Sequence, residues 1–529
     1  MKTRKFFGEQ QKFVFAIFVI LFSINCFANP SDEIFDDSQI LEFHITFPMD
    51  NFYEVLMEMH NTNPQQYLSA TFEYNGEIYE NVGVRFKGYK SMNYPGMKKP
   101  LKIKFNEFVE DQKFHGLTKL SLSNEYFDPT FLREKITYDI LNEYVPSSRA
   151  NFAKVYLNGQ YWGLYTNVEQ VNMKFIKEHF GNGEDGNLYK GDPAGDLIWN
   201  GPNPNHYYNK YELKTNQEEN DWSDLINFIH LLNFTESQEM KEVLDRNFHM
   251  YNYMFFQAIN NLLVNLDSYF CGGHNYYIYH RTDTDKFIHI PWDFNFAFGN
   301  GVYGMSFEEI THLSVLWNSG FERPLYEPIL DVPAYKNIYL MDYRYVVEHS
   351  FQLEELFARI DYLADLIRPA VYADTLKMFS NEDFEENLNN DIYYYDDYPI
   401  FGLKSFLSTR IQSVIQQLNN YEIQTPVSGL FINEFMANNS STICDENGDF
   451  DDWIEIYNAN DVAVNMEGIF LTDDPQTPDK WQFPQVEIPA GGHLIVWADN
   501  EVEEGPLHAN FKLNNQGEYI GLYNRSGIL

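Results

Sequence analysis

Two acidic residues stand where chemistry is easiest to build. Asp267 lies in the run Asn265-Leu-Asp267-Ser-Tyr-Phe-Cys-Gly-Gly-His274-Asn275, and Asp293 follows in Pro291-Trp292-Asp293-Phe294-Asn295. Apolar spacing predicts a helix over 251–266, which puts Asp267 at its C-terminal end. A negative charge there meets the negative end of the helix dipole, at a cost of ~0.3–1 kcal/mol. A metal ion or a catalytic role explains an acid in that place. Asp293 comes directly after an apolar strand, so its carboxylate is presented at the strand end. His274 and Asn275 lie between the two acids. Two carboxylates and an amide suit Mg²⁺ or Mn²⁺, because hard cations prefer oxygen ligands. The metal set expected is therefore Asp293, Asn275 and Asp267. Spacing alone serves equally well for a turn cap at Asp267 and an ordinary loop acid at Asp293.

A second constellation is basic. Arg85-Phe-Lys87-Gly88-Tyr-Lys90-Ser91 is followed by Lys98-Lys99-Pro-Leu-Lys102-Ile-Lys104, which places seven cations between residues 85 and 104. Lys102 and Lys104 alternate with Leu101, Ile103 and Phe105, so they leave one face of a strand. A glycine-containing turn between two strands, with lysines on the second, can hold nucleotide phosphates. Arg85, Lys99 and Lys102 are the expected contacts. The same pattern also fits a basic strand face that neutralises nearby acids.

Other motifs fail on inspection. His280-Arg281-Thr282-Asp283 looks like a kinase catalytic loop but occupies a polar hairpin turn. Asp445-Glu-Asn447-Gly-Asp449 begins like an EF-hand loop, yet Phe450 stands at the glycine position and Ile456 at the final glutamate position. There is no Walker A loop and no Gly-x-Ser-x-Gly elbow.

The elements that must position these residues are legible in outline. Residues 40–165 read mainly as strands: 42–47, 70–74, 79–86 and 101–105, with turn signals at Asn75-Gly76 and Asn158-Gly159. Leu132, Ile136, Ile140 and Leu141 interrupt them with a helical face after Asp128-Pro129. From residue 220 the pattern turns helical, broken by a strand pair at 276–280 and 287–290. Long helices carry Leu353 to Ile367 and Leu403 to Leu418. This is an α+β domain. After the linker Gln424-Thr425-Pro426, short alternating runs at 430–435, 453–457, 493–498 and 519–522 predict a β-sandwich. It is expected to be a separate unit with no catalytic part. Its last strand is expected to be cut short at Ile528-Leu529, as in a fragment of a longer polypeptide.

Composition narrows the function. The 77 Asp+Glu against 37 Lys+Arg give a formal net charge of −40, which argues against sequence-independent nucleic-acid binding. At 44% hydrophobic and 22% charged residues, the chain is not disordered throughout. Residues 1–28 read as a signal peptide: Lys2, Arg4, Lys5 and Lys12 precede an apolar run from Phe13 to Ile24, and Cys26-Phe27-Ala28 is an acceptable cleavage site. The mature chain then keeps only Cys271 and Cys444, so no disulfide framework exists. No second run is long enough to span a membrane. A secreted or surface-associated protein is expected.

Residues 29–425 resemble the spore-coat protein H (CotH) kinases. The likeness is carried by Val82-Gly-Val-Arg85-Phe-Lys-Gly88-Tyr-Lys-Ser91, Lys98-Lys99-Pro-Leu-Lys102-Ile-Lys104-Phe105, Asp128-Pro129-Thr-Phe-Leu132-Arg133-Glu134-Lys135, Val155 to Tyr165, Glu169-Gln170, Asn187 to Asp192, Tyr211 to Lys214, Asp267, His274-Asn275 and Trp292-Asp293. The resemblance implies a divergent kinase-like fold that uses ATP with Mg²⁺ or Mn²⁺ to phosphorylate hydroxyls of secreted or cell-surface proteins. It implies Asp267 in the catalytic loop and Asp293 at the metal-binding place of an Asp-Phe-Gly motif, read here as Asp-Phe-Asn. The family's glycine loop usually ends Asn-Ser-Ser, where this chain has Tyr89-Lys90-Ser91. Residues 426–529 resemble a lamin-tail domain, an immunoglobulin-like sandwich, through Ile432-Asn433-Glu434, Asp451 to Asn458 and Leu471-Thr-Asp473. That implies attachment to a surface or partner. A non-catalytic structural or adhesive protein built on a kinase-like fold is the alternative reading.

Overall fold

The computed structural model describes residues 29–529 except 89, 94–95, 182–184, 303, 395–397, 424–427, 475–476, 478, 516, 518, 525–526 and 529. The segment 1–28 expected to be a signal peptide, with Cys26, and the expected linker at 424–426 therefore lie outside the described residues.

Alternating apolar residues build a closed barrel from β1 (Ile40–Thr46), β2 (Leu68–Tyr74), β3 (Glu77–Phe86), β4 (Leu101–Lys104), β5 (Lys119–Ser123), β6 (Ala150–Leu157) and β7 (Gln160–Val168). The order is β1-β2-β3-β4-β5-β7-β6, and β6 returns to β1 in parallel register from Ile40↔Phe152 to Ile45↔Leu157. Val82, Val84, Phe86, Leu101, Ile103, Leu120, Leu122 and Val155 fill the interior. Phe43, Phe72, Phe105 and Phe114 add rings whose centroids lie 5.1–6.1 Å apart. Successive side chains alternate across a strand, so Arg85 and its partner Lys102 leave the outer face. That face looks toward the rest of the domain.

Three helices flank the barrel strands: α1 (Phe52–Thr62), α2 (Arg133–Leu141) and α3 (Met173–Phe180). The second lobe holds a sheet of β8 (Leu188–Gly191), β9 (Tyr211–Leu213), β10 (Tyr276–Arg281) and β11 (Lys286–Pro291), in the order β11-β10-β8-β9. It packs with α4 (Ser223–Phe234), α5 (Met240–Asn247), α6 (Met250–Leu262), α7 (Tyr269–Gly272) and the later helices Pro333–Ser350, Leu353–Ala373 and Leu403–Leu418.

The expected helix over 251–266 ends early, at Leu262. Its last carbonyls are taken by a buried cation: the Arg410 guanidinium donates to the carbonyl oxygens of Leu262 (3.2 Å) and Asn261 (3.1 Å). Arg410, fully buried in the Leu403–Leu418 helix, therefore meets the negative end of the dipole. Asp267 stands clear of it, in the turn before α7. The dipole argument for an unusual acid at this position does not hold.

The C-terminal residues form two four-stranded sheets, one led by Leu430–Met436 and Trp453–Asn458 and the other by Phe470–Thr472 and Gly521–Asn524. The terminal hairpin pairs Tyr523 with Ile528. This sandwich does not stand apart from the helical lobe. Phe470 packs edge-on against Tyr251 of α6 (4.8 Å) and belongs to the helical lobe's core. Asp479 pairs with His249 Nδ1 at 3.1 Å. Burial works against ionised Asp479, but His249, Arg281 and Lys286 hold its carboxyl well below the usual carboxylate range.

Candidate active site

Three elements deliver three charged groups to one place. Lys87 follows the last residue of β3, and its N–H donates to the Pro100 carbonyl (3.0 Å), which continues the ladder beside β4. Its ammonium lies 3.4 Å from Ser123 Oγ, at the end of β5. Glu134 is the second residue of α2. That helix starts where it does because Asp128 Oδ2 accepts the Arg133 N–H (2.9 Å), while the Arg133 guanidinium folds back onto Asp128 and donates to Asn387 Oδ1 (2.9 Å). β11 delivers Asp293, which sits at φ +67°. A left-handed aspartate of this kind is a frequent mark of a functional turn. The Asp293 N–H donates to Tyr138 Oη (3.2 Å), and the Phe294 ring meets Tyr138 edge-on at 5.1 Å. The helix carrying Glu134 and the segment carrying Asp293 are thus fixed to each other.

The charges of these groups act on one another. Burial pushes the Glu134 carboxyl up to about 7, and nearby Asp293 adds to the rise, while Lys87, Ser123 and the Phe294 N–H oppose it. Burial also raises Asp293, helped by Asp267 and opposed by Lys87, Lys190 and His274. The Lys87 ammonium is pulled below its usual range by burial, against the attraction of Glu134 and Asp293.

Asp267 is close enough to influence Asp293, and it is held from three sides. Lys90 Nζ donates to its Oδ1 (2.9 Å), His274 Nε2 lies 3.1 Å from the same oxygen, and Asn275 Nδ2 donates to its backbone carbonyl (2.7 Å) and to Oδ2 (3.2 Å). Burial opposes ionisation, but His274 and Lys90 outweigh it and hold the carboxyl down at about 2. Gly272 is required here: a Cβ would stand 2.1 Å from the His274 ring. Asn295, in place of a glycine, donates from Nδ2 to the Tyr126 carbonyl (2.9 Å).

The basic residues divide. Lys102 leaves the outer face of β4 near Arg85, Lys87, Lys190 and Lys214, and burial together with these like charges pulls its ammonium far down. Lys190, on β8, faces the cluster from the other lobe; burial opposes its charge, but Tyr277, Asp192 and Asp293 raise its pKa. Two expected phosphate contacts are engaged elsewhere. Lys99 is buried with its ammonium on the Met92 carbonyl (2.9 Å). The Arg85 guanidinium donates to the carbonyls of Pro64 (2.9 Å) and Phe86 (3.0 Å) and to Gln65 Oε1 (3.1 Å), and lies over Tyr67. Lys99 belongs to the loop before β4, whose side chains turn inward, and its neighbour Lys98 is likewise buried. Lys87 and Lys190 stand in their stead, and Glu134 joins the site beside Lys87. Strand alternation gave a signal for Lys87, two residues beyond Arg85. Glu134 had none beyond its place in a quoted motif.

The donor set fits a metal–nucleotide complex. Asp293, Asp267 and the Asn275 amide offer oxygen to a hard cation, and such ions commonly take one or two carboxylates plus substrate phosphates. Lys87, Lys102 and Lys190 would hold the phosphates.

A strand barrel with a lysine at its edge, a buried glutamate on the adjoining helix and an aspartate across from both define a kinase-like domain. Residues 84–423 match the CotH kinase protein family and residues 423–529 match the Lamin Tail Domain. The chain belongs to the CotH kinase family. It is 26% identical over 282 residues to inner spore coat protein H of Bacillus subtilis (strain 168), covering 53% of this chain and 75% of that protein. It also shows a likeness to the crystal structure of a Helicobacter pylori proinflammatory kinase, CtkA, with a TM-score of 0.24 and 10% identity, covering 68% of this chain and 93% of that one.

Proposed function

We propose that this chain is an exported, metal-dependent protein kinase that moves the γ-phosphate of ATP to hydroxyl side chains of secreted or surface proteins. The observation that carries the reading is the convergence of Lys87, Glu134 and Asp293 from three elements. Lys87, aligned by Glu134 through Ser123, holds phosphate oxygens together with Lys102 and Lys190. Asp293 and the Asn275 amide oxygen hold Mg²⁺ or Mn²⁺, which when bound neutralises charge on the transferring phosphoryl group. Asp267, ionised at any ordinary pH, accepts and orients the attacking hydroxyl. Lys90 occupies that acceptor in the structure, so its exposed side chain must swing aside before a substrate hydroxyl reaches it. The apolar N-terminal segment and the spore-coat relative support an extracytoplasmic place, with the lamin-tail domain serving attachment to a surface or partner. Among the described residues no helix is long and apolar enough to cross a membrane.

A non-catalytic surface protein on the same fold is the second reading, favoured by the Lys90–Asp267 pair. Incubation of the pure protein with γ-labelled ATP and Mg²⁺ or Mn²⁺ separates the two. Label on the protein supports the kinase; nucleotide binding without transfer selects the alternative.

A further inference from the structure

The lamin-tail domain carries a polar cluster that phosphoryl transfer does not use. The acidic turn 445–449, which begins like a calcium loop in sequence, meets the segment 499–508 at one end of the sandwich. Asp445, Glu504 and His508 each bring one ligand atom, and these atoms lie within 4.8 Å of one another. Among the described residues no other group of three histidine, cysteine or acidic side chains converges so closely.

Buried atoms aimed into the cluster distinguish it from a solvated acidic patch. His508 is 1% exposed and anchored in a strand paired with Trp497–Ala498. Its Nδ1 is bonded to the buried carboxylate of Asp499, which fixes the ring's orientation and turns Nε2 toward the cluster. That Nε2 is buried with no hydrogen-bond partner; Glu446 Oε1 lies 3.5 Å away. Asp445 is 8% exposed. Its Oδ1 accepts the N–H groups of Asn447 (3.0 Å), Gly448 (2.8 Å) and Asp449 (2.8 Å), so the carboxylate cannot rotate away. Its Oδ2 is buried with no hydrogen-bond partner. Asn447 Nδ2 donates to Glu504 Oε2 (2.9 Å) and steadies the third group. Gly505 keeps the space beside the imidazole open, because a Cβ there would stand 2.7 Å from Glu446 Oε1 and 3.5 Å from His508 Nε2. Leaving a buried polar atom unsatisfied costs about 1–3 kcal/mol, and a cation bound among these ligand atoms would satisfy both.

We propose that Asp445, Glu504 and His508 hold one divalent transition-metal ion, Zn²⁺ by the nature of the donors, with Glu446 in reach as a fourth ligand. Imidazole nitrogen beside carboxylates suits zinc, whereas calcium takes oxygen ligands throughout. A carboxylate on the far nitrogen of the ligating histidine, here Asp499, is the usual support of such a ligand. Metal–ligand bonds of ~2.0–2.2 Å place tetrahedral ligands roughly 3.4 Å apart, so the cluster tightens on binding, and the partly exposed Glu504 has the freedom to do it. The ion then ties the 445–449 turn to the 499–508 segment and braces that end of the sandwich.

The test uses the full chain, stripped with EDTA, desalted and titrated with ZnCl₂ without nucleotide. One equivalent of zinc should be retained after desalting, with a rise in the thermal midpoint, and CoCl₂ should give the visible absorption of a tetrahedral site. Asp445→Asn and Glu504→Gln should each lower zinc affinity tenfold or more, while Asp293→Asn leaves it unchanged and so separates this site from the kinase cleft. Glu504→Gln alters a partly exposed side chain and keeps the test clear of misfolding. Failure of the wild type to retain zinc, stabilisation by CaCl₂ alone, or full zinc retention in both Asp445→Asn and Glu504→Gln would overturn the assignment.

Discussion

Asp374→Ala should destabilise the kinase domain more than any surface substitution, because Asp374 joins the two lobes through a buried ion pair. Lys98, just before β4, and Asp374, just after the Leu353–Ala373 helix, meet at 2.7 Å with side chains 1% and 0% exposed. Asp374 Oδ2 also accepts the Leu164 N–H (3.1 Å), and Oδ1 accepts the Leu376 N–H (2.9 Å). The ammonium lies over the Phe131 (4.7 Å) and Tyr165 (5.0 Å) rings, where water cannot replace the lost carboxylate. Removing one partner of a buried pair costs about 3–5 kcal/mol, and each orphaned N–H adds about 1 kcal/mol at the low end of its range. The sum, about 5–7 kcal/mol, corresponds to a fall of about 10 °C or more in thermal midpoint at ~2–4 °C per kcal/mol. Asp374→Asn keeps only one of the two N–H acceptors, because its amide nitrogen cannot accept, and should lose somewhat less than Asp374→Ala. In the double variant Lys98→Met/Asp374→Asn the losses should be clearly less than additive, since the uncompensated charge is gone. Differential scanning fluorimetry and urea unfolding read all three. A midpoint for Asp374→Ala within about 2 °C of wild type, or additive losses in the double variant, would refute the reasoning.

Other perturbations have equally definite outcomes. Gly163→Ala places a Cβ 2.4 Å from Asp374 Oδ2 at φ +134° and should lower the same midpoint; an unchanged midpoint would show that the contact relaxes freely. Glu134 has a folded pKa of about 7, above its ordinary value of 4.5, so its contribution to stability should fall as pH rises between those values and then level off. Glu134→Gln should flatten that slope in melting curves, and a slope identical to wild type would place the titration elsewhere. Asp267 is depressed to about 2 from 3.8, so the stability it contributes is present above pH 3.8 and lost as pH falls through 2. Asp267→Asn should remove about 2 kcal/mol at neutral pH and nothing at the acid end, read by acid unfolding. Deleting residues 427–529 bares Tyr251 and unpairs His249, and should lower the kinase domain's midpoint and speed proteolysis around α6; equal resistance to protease would restore the two domains to independence.

Much of this fold was legible because alternation and helical spacing report which side chains are buried. The strands around Val82–Phe86 and Leu101–Phe105, the hairpin after Asn275 and the long helices all stand where their patterns place them. Barrel closure was hidden, since the parallel pairing of Ile40–Ile45 with Phe152–Leu157 joins strands distant in sequence. Asp267, Asn275 and Asp293 were found by their polar types, although the helix end that marked Asp267 lies earlier, and the structure brings them near one another. The choice of Arg85 and Lys99 failed for a physical reason. Strand parity says which lysines share a face, but not which of them the second lobe covers, and Lys99 and Arg85 are spent on nearby carbonyls. Docking of the sandwich was equally invisible, because Phe470 and Asp479 look like ordinary sandwich residues until α6 is packed beside them.

The central claim is that Lys87, Glu134 and Asp293 form one phosphoryl-transfer centre, and the rate of transfer from γ-labelled ATP with Mg²⁺ or Mn²⁺ tests it most directly. Wild type should label itself or an added protein. Asp293→Asn and Lys87→Met should each lose about 100-fold or more, the scale of removing one positioned charge from a transition state. Arg85→Gln, whose guanidinium is bound to the 64–65 backbone and side chain, should keep a rate near wild type. Unchanged transfer in Asp293→Asn and Lys87→Met, or loss in Arg85→Gln alone, would contradict the account.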